Sequence, residues 1–436
     1  MVGTTGNRHT TDDIGSETEG GRRLRWPALT STALVAVTAT VLLFVTVDPW
    51  LPDTGLFTGG LDMDVYRDGA RSAMAGLPLY TEPITRGLLY TYTPFSALVF
   101  VPLGFLPTAT DEYIWMGVII ALLAGVVAQC WRMLGYRLTR TVVAVSIVLA
   151  IGVAFLEPVR TTLFFGQINV LLMLLILMDV ARKPGSRLRG VGVGIAAGIK
   201  LTPAYFVLYF LVVRQWRAAA VATATIGATV AVSWVLLPED SRLYWTRTFF
   251  DSARIAEPGH AANQSLRGAL TRIIGDPAPF WLWLLLAAAV VAVSMWVVSG
   301  LHRRGDELLA VTVAGLTTSV VSPFSWSHHW VWFVPLTVYL IHRAVTRPWW
   351  WVAVIALFGA VGSWSYQWPD GRVVVGLYLF PATWIPWDVL VNLYLAIYVI
   401  VLLAAGGTVY RARRAAAALP RGEQRQEPSA TAARSR

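Results

Sequence analysis

Long apolar stretches limit most strongly what this chain can fold into. Apolar segments are centred near residues 38, 98, 122, 149, 172, 202, 227, 289, 315, 338, 357 and 397. They come in blocks of roughly twenty residues, the length that a helix needs to cross a bilayer. Only 14% of the residues are charged, against about 25% in a soluble protein. The pattern predicts an all-α polytopic membrane protein with about twelve transmembrane or re-entrant segments.

The charges outside these segments predict how the chain is organised. Residues 1–26 are polar and we expect a disordered cytoplasmic N-terminus, followed by a membrane domain over 27–408 and a basic cytoplasmic tail over 409–436. Short basic loops are typical of the cytoplasmic side. The less basic stretches, predicted to be outer loops, are 48–89, 237–278 and 366–386.

Two basic loops, 132–140 and 182–190, do not fit if every apolar segment spans once. The conflict disappears if 90–107 and 191–213 are re-entrant or broken, since both contain proline. The sequence alone leaves both topologies open. Under either one, the 48–89 loop lies outside, and we expect short outer-surface helices within it.

Three aspartates stand close together in that loop, in the stretch GGLDMDVYRDGARSAMAG. The stretch predicts a short amphipathic helix along the membrane surface, with Asp62 as its N-cap. Helical spacing puts Asp62 and Tyr66 on one face. Asp64 and Asp68 fall on another, where we expect water or nearby arginines. A carboxylate at the membrane edge could act as a general base, and an N-cap position would favour the ionised form of Asp62.

Further polar side chains stand in or beside the apolar segments, and each has a packing interpretation as well as a functional one. The candidates for substrate binding are Tyr66, Tyr92, Gln167, Asn169, Lys200, Asn263, Arg267, His328 and His329. Lys200 is the strongest, because an ionisable residue inside a membrane segment is a functional hypothesis by default. Adjacent helical residues diverge by about 100°, so His328 and His329 are not expected to share a metal ion.

The order of the short motifs adds a family resemblance. An Asp-x-x-Val-Tyr stretch beginning at Asp62 is followed by PLY, YTYTP, GQINVLLMLL, IKLTP, NQSLRG and SWSHHWVW. Over residues 27–408 this order resembles the actinobacterial GT-C glycosyltransferases, specifically the polyprenol-phosphate-mannose-dependent alpha-1,2-mannosyltransferases. The resemblance implies a GT-C fold with Asp62 as the essential carboxylate and Tyr66 as its partner. It implies that Lys200 and one of the two histidines contact the donor phosphate or the acceptor.

The resemblance also implies an activity. Mannose would pass from polyprenyl-phosphate-mannose to a phosphatidylinositol mannoside by an inverting displacement that forms an alpha-1,2 linkage. The multi-pass protein would lie in the plasma membrane with its active site on the extracytoplasmic face. Neither a cofactor nor a metal is expected, since the donor is a phosphate ester and not a pyrophosphate. A nucleic-acid partner is not expected either, since most of the arginines behind the net charge of +10 stand in short loops and the two tails. Two alternatives stay open, an arabinofuranosyltransferase of the same fold and a lipid or sugar transporter.

Overall fold

Helices make up the secondary structure of the part of the chain that can be described. The computed structural model describes residues 22, 24–46, 59–108, 110–251, 257–275, 278–363 and 391–418. Within these ranges there are α-helices, short 3-10 turns and isolated bridges but no β-strand. The predicted all-α class is confirmed for them. The predicted outer loop 366–386 and most of the two predicted tails lie outside the described residues.

The helices are numbered here in chain order. They are α1 (Trp26–Thr46), α2 (Leu61–Met74), α3 (Pro94–Val99), α4 (Val101–Gly104), α5 (Asp111–Met133), α6 (Arg140–Gly152), α7 (Glu157–Phe165), α8 (Asn169–Val180), α9 (Val191–Ile199), α10 (Tyr205–Val212), α11 (Trp216–Leu236), α12 (Pro238–Thr246), α13 (Leu266–Ile274), α14 (Phe280–His302), α15 (Glu307–Val321), α16 (Phe333–Thr346), α17 (Trp351–Val361) and α18 (Leu393–Ala418).

Several of these helices can cross a membrane. Five described helices, α1, α5, α11, α14 and α18, are long and apolar enough to do so. The pair α7 and α8 passes the same test together but is bent by 118°. Other predicted segments correspond to shorter apolar helices such as 140–155 and 307–321. The chain is therefore a multi-pass membrane protein, and the number of about twelve segments stays a prediction.

Proline interrupts the two segments whose topology the sequence left open. The first, 90–107, contains only the short helices α3 and α4, with proline in the first turn of each. The second, 191–213, is broken after α9, where Lys200 adopts an extended conformation before the 3-10 turn Thr202–Ala204. Pro203 lacks the N–H that a continuous helix would need. Both segments are therefore broken and not continuous helices.

The bend between α7 and α8 is not predicted by the apolar pattern, which indicates one continuous segment near residue 172. It occurs at Gly166, whose φ of 71° is left-handed. This is the conformation that commonly ends a helix and that glycine adopts without steric cost. The indole N–H of Trp115 on α5 donates to the Gly166 carbonyl at 2.7 Å. The bend turns the residues that follow Gly166 toward α2.

The last described helix also departs from the predicted organisation. Helix α18 runs through Ala418, past the predicted start of the tail at 409. The single cysteine, Cys130 on α5, is fully buried in the core, as its position in an apolar run predicts.

Candidate active site

Helix α2 is placed by the glycine that precedes it. Gly60 has a left-handed φ of 79° and caps the helix without a side-chain bond. Its backbone N–H donates to the carbonyl of Phe164, near the end of α7, at 2.6 Å. The predicted N-cap at Asp62 is therefore wrong, because the helix begins at Leu61. Asp62 lies inside the first turn, so its carboxylate is available for a partner on another helix.

That partner is Gln167, in the bend between α7 and α8. The side-chain amide of Gln167 donates to one carboxylate oxygen of Asp62 and accepts at 3.0 Å from the hydroxyl of Tyr66. The hydroxyl of Tyr92 lies 3.0 Å from that of Tyr66 and 3.4 Å from the Gln167 nitrogen. Asp62 and Tyr66 thus share one face of α2, as helical spacing predicts. One carboxylate oxygen is held by Gln167, which leaves the other for a reacting group.

Burial sets the acidity of this carboxylate. It raises the pKa of Asp62 from 3.8 to about 6, while the hydrogen bond from Gln167 and the charge of Lys200 oppose the rise. The expected lowering of the pKa by an N-cap position does not apply, because Gly60 and not Asp62 is the N-cap. A pKa near 6 leaves the carboxylate ionised at neutral pH and more basic than an exposed aspartate, which suits a general base.

Lys200 approaches the same place from the break after α9. Its ammonium donates to the side-chain oxygen of Asn169 at 3.1 Å and lies 3.0 Å from Nε2 of His329. It also lies 5.5 Å from the ring centroid of Tyr92, within range of a cation–π interaction. The hydroxyl of Thr93 donates to the Gly198 carbonyl and so fixes the end of α9. The ammonium is thereby held beside the Asp62 cluster.

The two adjacent histidines have different neighbours. His329 faces Lys200, whereas the ring of His328 lies 5.8 Å from the ring of Phe165 at the end of α7. Their imidazoles are 4.9 Å apart and nearly perpendicular. The side chain of Asn169 donates to the backbone carbonyl of His328 at 3.0 Å. The two rings contact each other edge to face, while their other neighbours differ.

A partly open cavity adjoins Lys200 and His329. Its apolar wall comes from α8, α10 and the residues before α16. The apolar lining residues are Leu172, Met173, Ile176, Phe206, Val331 and Trp332. Hydroxyls of Thr318, Ser319 and Ser322 add polar groups to the lining. A cation beside a mostly apolar cavity suits a ligand that joins an anionic group to a hydrocarbon chain.

The other two aspartates of α2 are not in this cluster. Asp64 is only 7% exposed, which corrects the expectation of a solvated position, but it does pair with arginines as the alternative predicted. It bonds Arg67 at 2.9 Å and Arg86 at 3.0 Å. Arg67 also contacts Asp68 at 2.8 Å and Asp111 on α5 at 2.6 Å. These ion pairs tie α2 to α5 and so support the position of Asp62.

Two predicted binding residues are not brought to the cluster. The buried side chain of Asn263 donates to the Pro258 carbonyl at 2.9 Å and accepts from the backbone N–H of Ser325 at 3.0 Å. It therefore locks the 257–265 loop onto the turn before the histidines. Arg267 on α13 lies over the aromatic rings of Phe280 and Trp283.

Some residues that shape the site were not expected. Thr93 precedes a proline, a typical N-cap signal, and it does cap α3, but no local pattern predicts its bond to α9. Trp115 carries no local signal for its contact with Gly166.

Within the described ranges, no group of three or more His, Cys, Asp or Glu side chains could hold a metal ion. The expectation of a metal-free reaction stays a prediction.

The Asp62 carboxylate, the Lys200 cation and the adjoining cavity form the candidate site, and comparison with known proteins defines the class of the protein. Residues 90–323 match the model of glycosyltransferase family 87. The chain belongs to this family and is a glycosyltransferase, which removes the transporter alternative. No solved structure matches the chain.

The names of curated relatives specify more about the reaction than the family does. The chain is 37% identical over 350 residues to the polyprenol-phosphate-mannose-dependent alpha-(1-2)-phosphatidylinositol pentamannoside mannosyltransferase of Mycolicibacterium smegmatis, covering 76% of this chain and 84% of the relative. It is 36% identical over 293 residues to the polyprenol-phosphate-mannose-dependent alpha-(1-2)-phosphatidylinositol mannoside mannosyltransferase of Mycobacterium tuberculosis, covering 63% of this chain and 68% of the relative. An alpha-(1->3)-arabinofuranosyltransferase of Corynebacterium glutamicum is 30% identical over 345 residues, covering 76% and 79%.

Proposed function

We propose that this protein transfers mannose from polyprenyl-phosphate-mannose to a phosphatidylinositol mannoside and forms an alpha-1,2 linkage with inversion. The observation that carries the proposal is the proximity of the Asp62 carboxylate to the charge of Lys200, whose side chain lines an apolar-walled cavity. A lipid-phosphate sugar has three parts, a hydrocarbon chain, an anionic phosphate and a sugar. The site offers a feature for each part.

The donor phosphate and its lipid are matched by the cavity. The ammonium of Lys200 donates to Asn169 and to Nε2 of His329, which leaves its third N–H for a phosphate oxygen. The apolar wall that includes Leu172, Phe206 and Trp332 fits the first isoprene units of a prenyl chain. The negative charge that develops on the leaving phosphate is stabilised by Lys200.

Asp62 supplies the base. Its free carboxylate oxygen takes the proton from the acceptor 2-hydroxyl as that oxygen attacks the anomeric carbon. The bond between this carbon and the phosphate oxygen breaks, and polyprenyl phosphate leaves with the electron pair. Attack on the face opposite the leaving group turns a β-linked donor into an α-linked product. Inverting hydrolases use a second carboxylic acid to protonate the leaving group. Polyprenyl phosphate leaves as a stable anion and needs no such proton, so a single carboxylate suffices.

The side of the membrane follows from charge. Helix α1 is preceded by a basic N-terminal segment, which favours a cytoplasmic N-terminus. Because α1 crosses once, α2 and Asp62 would lie on the extracytoplasmic face. Nucleotide sugars are absent there, so a lipid-linked donor is the consistent choice. The names of two mycobacterial relatives, both polyprenol-phosphate-mannose-dependent mannosyltransferases, support the same donor and the phosphatidylinositol mannoside acceptor.

A transfer assay tests the proposal. The purified full chain is reconstituted with phosphatidylinositol mannosides and given radiolabelled polyprenyl-phosphate-mannose or, separately, the arabinofuranose donor. We expect label in the glycolipid only from the mannose donor, removed by an exo-mannosidase specific for alpha-1,2 linkages. Transfer of arabinose alone would establish the alternative that the third relative suggests. Transfer of neither sugar would reject both.

Two matched variants test the base. Asp62→Asn should lower transfer by about 10²–10⁴-fold, the usual contribution of a general base. Asp68→Asn is the control, because Asp68 lies on the same helix two turns from Asp62 and contacts only arginines among the described residues. Asp64 is a less suitable control, because it is buried and paired with arginine. Asp64→Asn would therefore also lower the stability of the fold. Full activity in Asp62→Asn would show that another group is the base.

A further inference from the structure

The imidazole of His328 is buried but has no hydrogen-bond partner. It is 4% exposed, and neither ring nitrogen is bonded to any other group in the described part of the chain. Buried polar atoms in folded proteins are nearly always paired, because an unpaired one loses its bonds to water without replacement. The neighbouring His329 follows this rule through its contact with Lys200. The two ring nitrogens of His328 therefore lack hydrogen bonds that a ligand would supply.

An aromatic surface continues outward from this ring. Trp326 is partly exposed, and its ring lies 6.3 Å from that of His328 at an interplanar angle of 20°. Phe324 and His260 contact the same tryptophan, with ring centroids 4.6 and 5.8 Å away. The Trp326 ring is thus supported on its sides by protein while part of it remains open to solvent.

The ring of His328 also contacts the segment that holds the proposed base. The ring of Phe165, 5.8 Å from that of His328, precedes the bend whose Gln167 bonds Asp62. A ligand that touched Trp326 and His328 would therefore lie near the segment that holds Asp62. His329 instead contacts the ammonium of Lys200, so the two histidines have different neighbours.

We propose that Trp326 and His328 form the subsite for the acceptor sugar, a deepening that rests on the proposed function. The electron-rich face of an indole attracts the polarised C–H bonds of a pyranose ring. A neutral imidazole offers one donor and one acceptor nitrogen to sugar hydroxyls. The two histidines then divide the reaction, with His329 against the lysine that binds the donor phosphate and His328 on the acceptor.

Two other roles for the pair fit less well. A metal site would need further ligands, and no group of three His, Cys, Asp or Glu side chains occurs among the described residues. Simple core packing would not call for an imidazole, since an apolar side chain of similar size avoids the cost of unpaired nitrogens.

Binding of a mannoside tests the subsite without relying on turnover. The full chain in lipid nanodiscs is titrated with n-octyl α-mannoside, and binding is followed by saturation-transfer NMR. We expect the wild type to bind, and Trp326→Ala and His328→Leu to weaken binding by about tenfold or more, as loss of a central aromatic contact does. Trp326→Phe should retain most of the affinity. Trp349→Ala is the matched control, because Trp349 is 62% exposed and lies beyond the far end of α16.

Stability separates a binding role from a packing role. Because His328 has no partner to lose, His328→Leu should melt no lower than the wild type while its mannoside binding falls. A stable His328→Leu protein that binds octyl mannoside like the wild type would overturn the proposal. So would a wild type that does not bind it, or a folded Trp326→Ala protein with unchanged affinity.

Kinetics distinguish this proposal from the proposed function. In the transfer assay, Trp326→Ala should raise the KM for the glycolipid by about tenfold and change the KM for the donor by less than about twofold. A reversed pattern would assign Trp326 to the donor and overturn the subsite. If mannosides bind through Trp326 but the wild type transfers no mannose, the subsite stands and the proposed function fails.

Discussion

Replacing Asp62 by asparagine should separate activity from stability. The pKa of Asp62 is about 6 in the folded protein, against 3.8 for the ordinary carboxyl. At neutral pH the ionised carboxylate is therefore less favourable in the fold than in the unfolded chain, by up to about 3 kcal/mol at about 1.4 kcal/mol per pH unit. Part of the side chain is exposed, so the realised cost is smaller. Asparagine keeps the shape and an oxygen that accepts from Gln167.

The sign of the effect depends on pH. A carboxyl whose pKa is raised on folding stabilises the fold below about pH 4, and this contribution is lost as the pH rises through about 6. Asp62→Asn should then be more stable than the wild type at about pH 7.5, and the difference should shrink as the pH falls toward 4. Intrinsic fluorescence of the 20 tryptophans reports unfolding on heating across this range.

The same samples are assayed for mannosyl transfer, which the variant should lack. A variant that is less stable than the wild type at neutral pH, or a stability difference that does not change between pH 4 and 7.5, would refute the reasoning on burial. Asp68→Asn provides the comparison, because Asp68 has arginine partners and its loss should lower stability slightly.

Three further outcomes are expected. In the wild type, kcat/KM for transfer should fall about tenfold per pH unit below about 6, because the base must be ionised; a flat profile to pH 4 would exclude Asp62 as the base. Lys200→Met should raise the donor KM about tenfold and shift this limb to higher pH, since the lysine charge lowers the pKa of Asp62; an unchanged donor KM would contradict its phosphate role. Gly166→Ala should lower the free energy of unfolding by about 1–2 kcal/mol and reduce transfer. The reason is that Gly166 has a φ of +71° and an added Cβ would lie 2.8 Å from that of Met63. Unchanged melting and activity would show that the bend accepts a side chain at this position.

The candidate site was only partly predictable. Helical spacing correctly placed Asp62 and Tyr66 on one face, because neighbours at i and i+4 depend only on local geometry. Proline correctly indicated the break at Lys200, since the missing N–H is a property of the residue itself. The N-cap assignment failed, as Gly60 adopts a left-handed conformation only where α2 docks on α7.

The sequence by itself determined the helical membrane class and a lysine inside an apolar segment, because hydrophobic length and charge are short-range properties of the chain. The preference for Asp62 came from the family resemblance, and its role as the base stays a prediction. Tertiary structure decided which groups meet. Gln167 is 105 residues from Asp62, and His329 is 129 residues from Lys200. Contacts at such separations depend on how bent and broken helices pack, which leaves no periodic signal in the sequence. The same packing buried Asp64 with its arginines, locked Asn263 into a loop and left His328 without a partner.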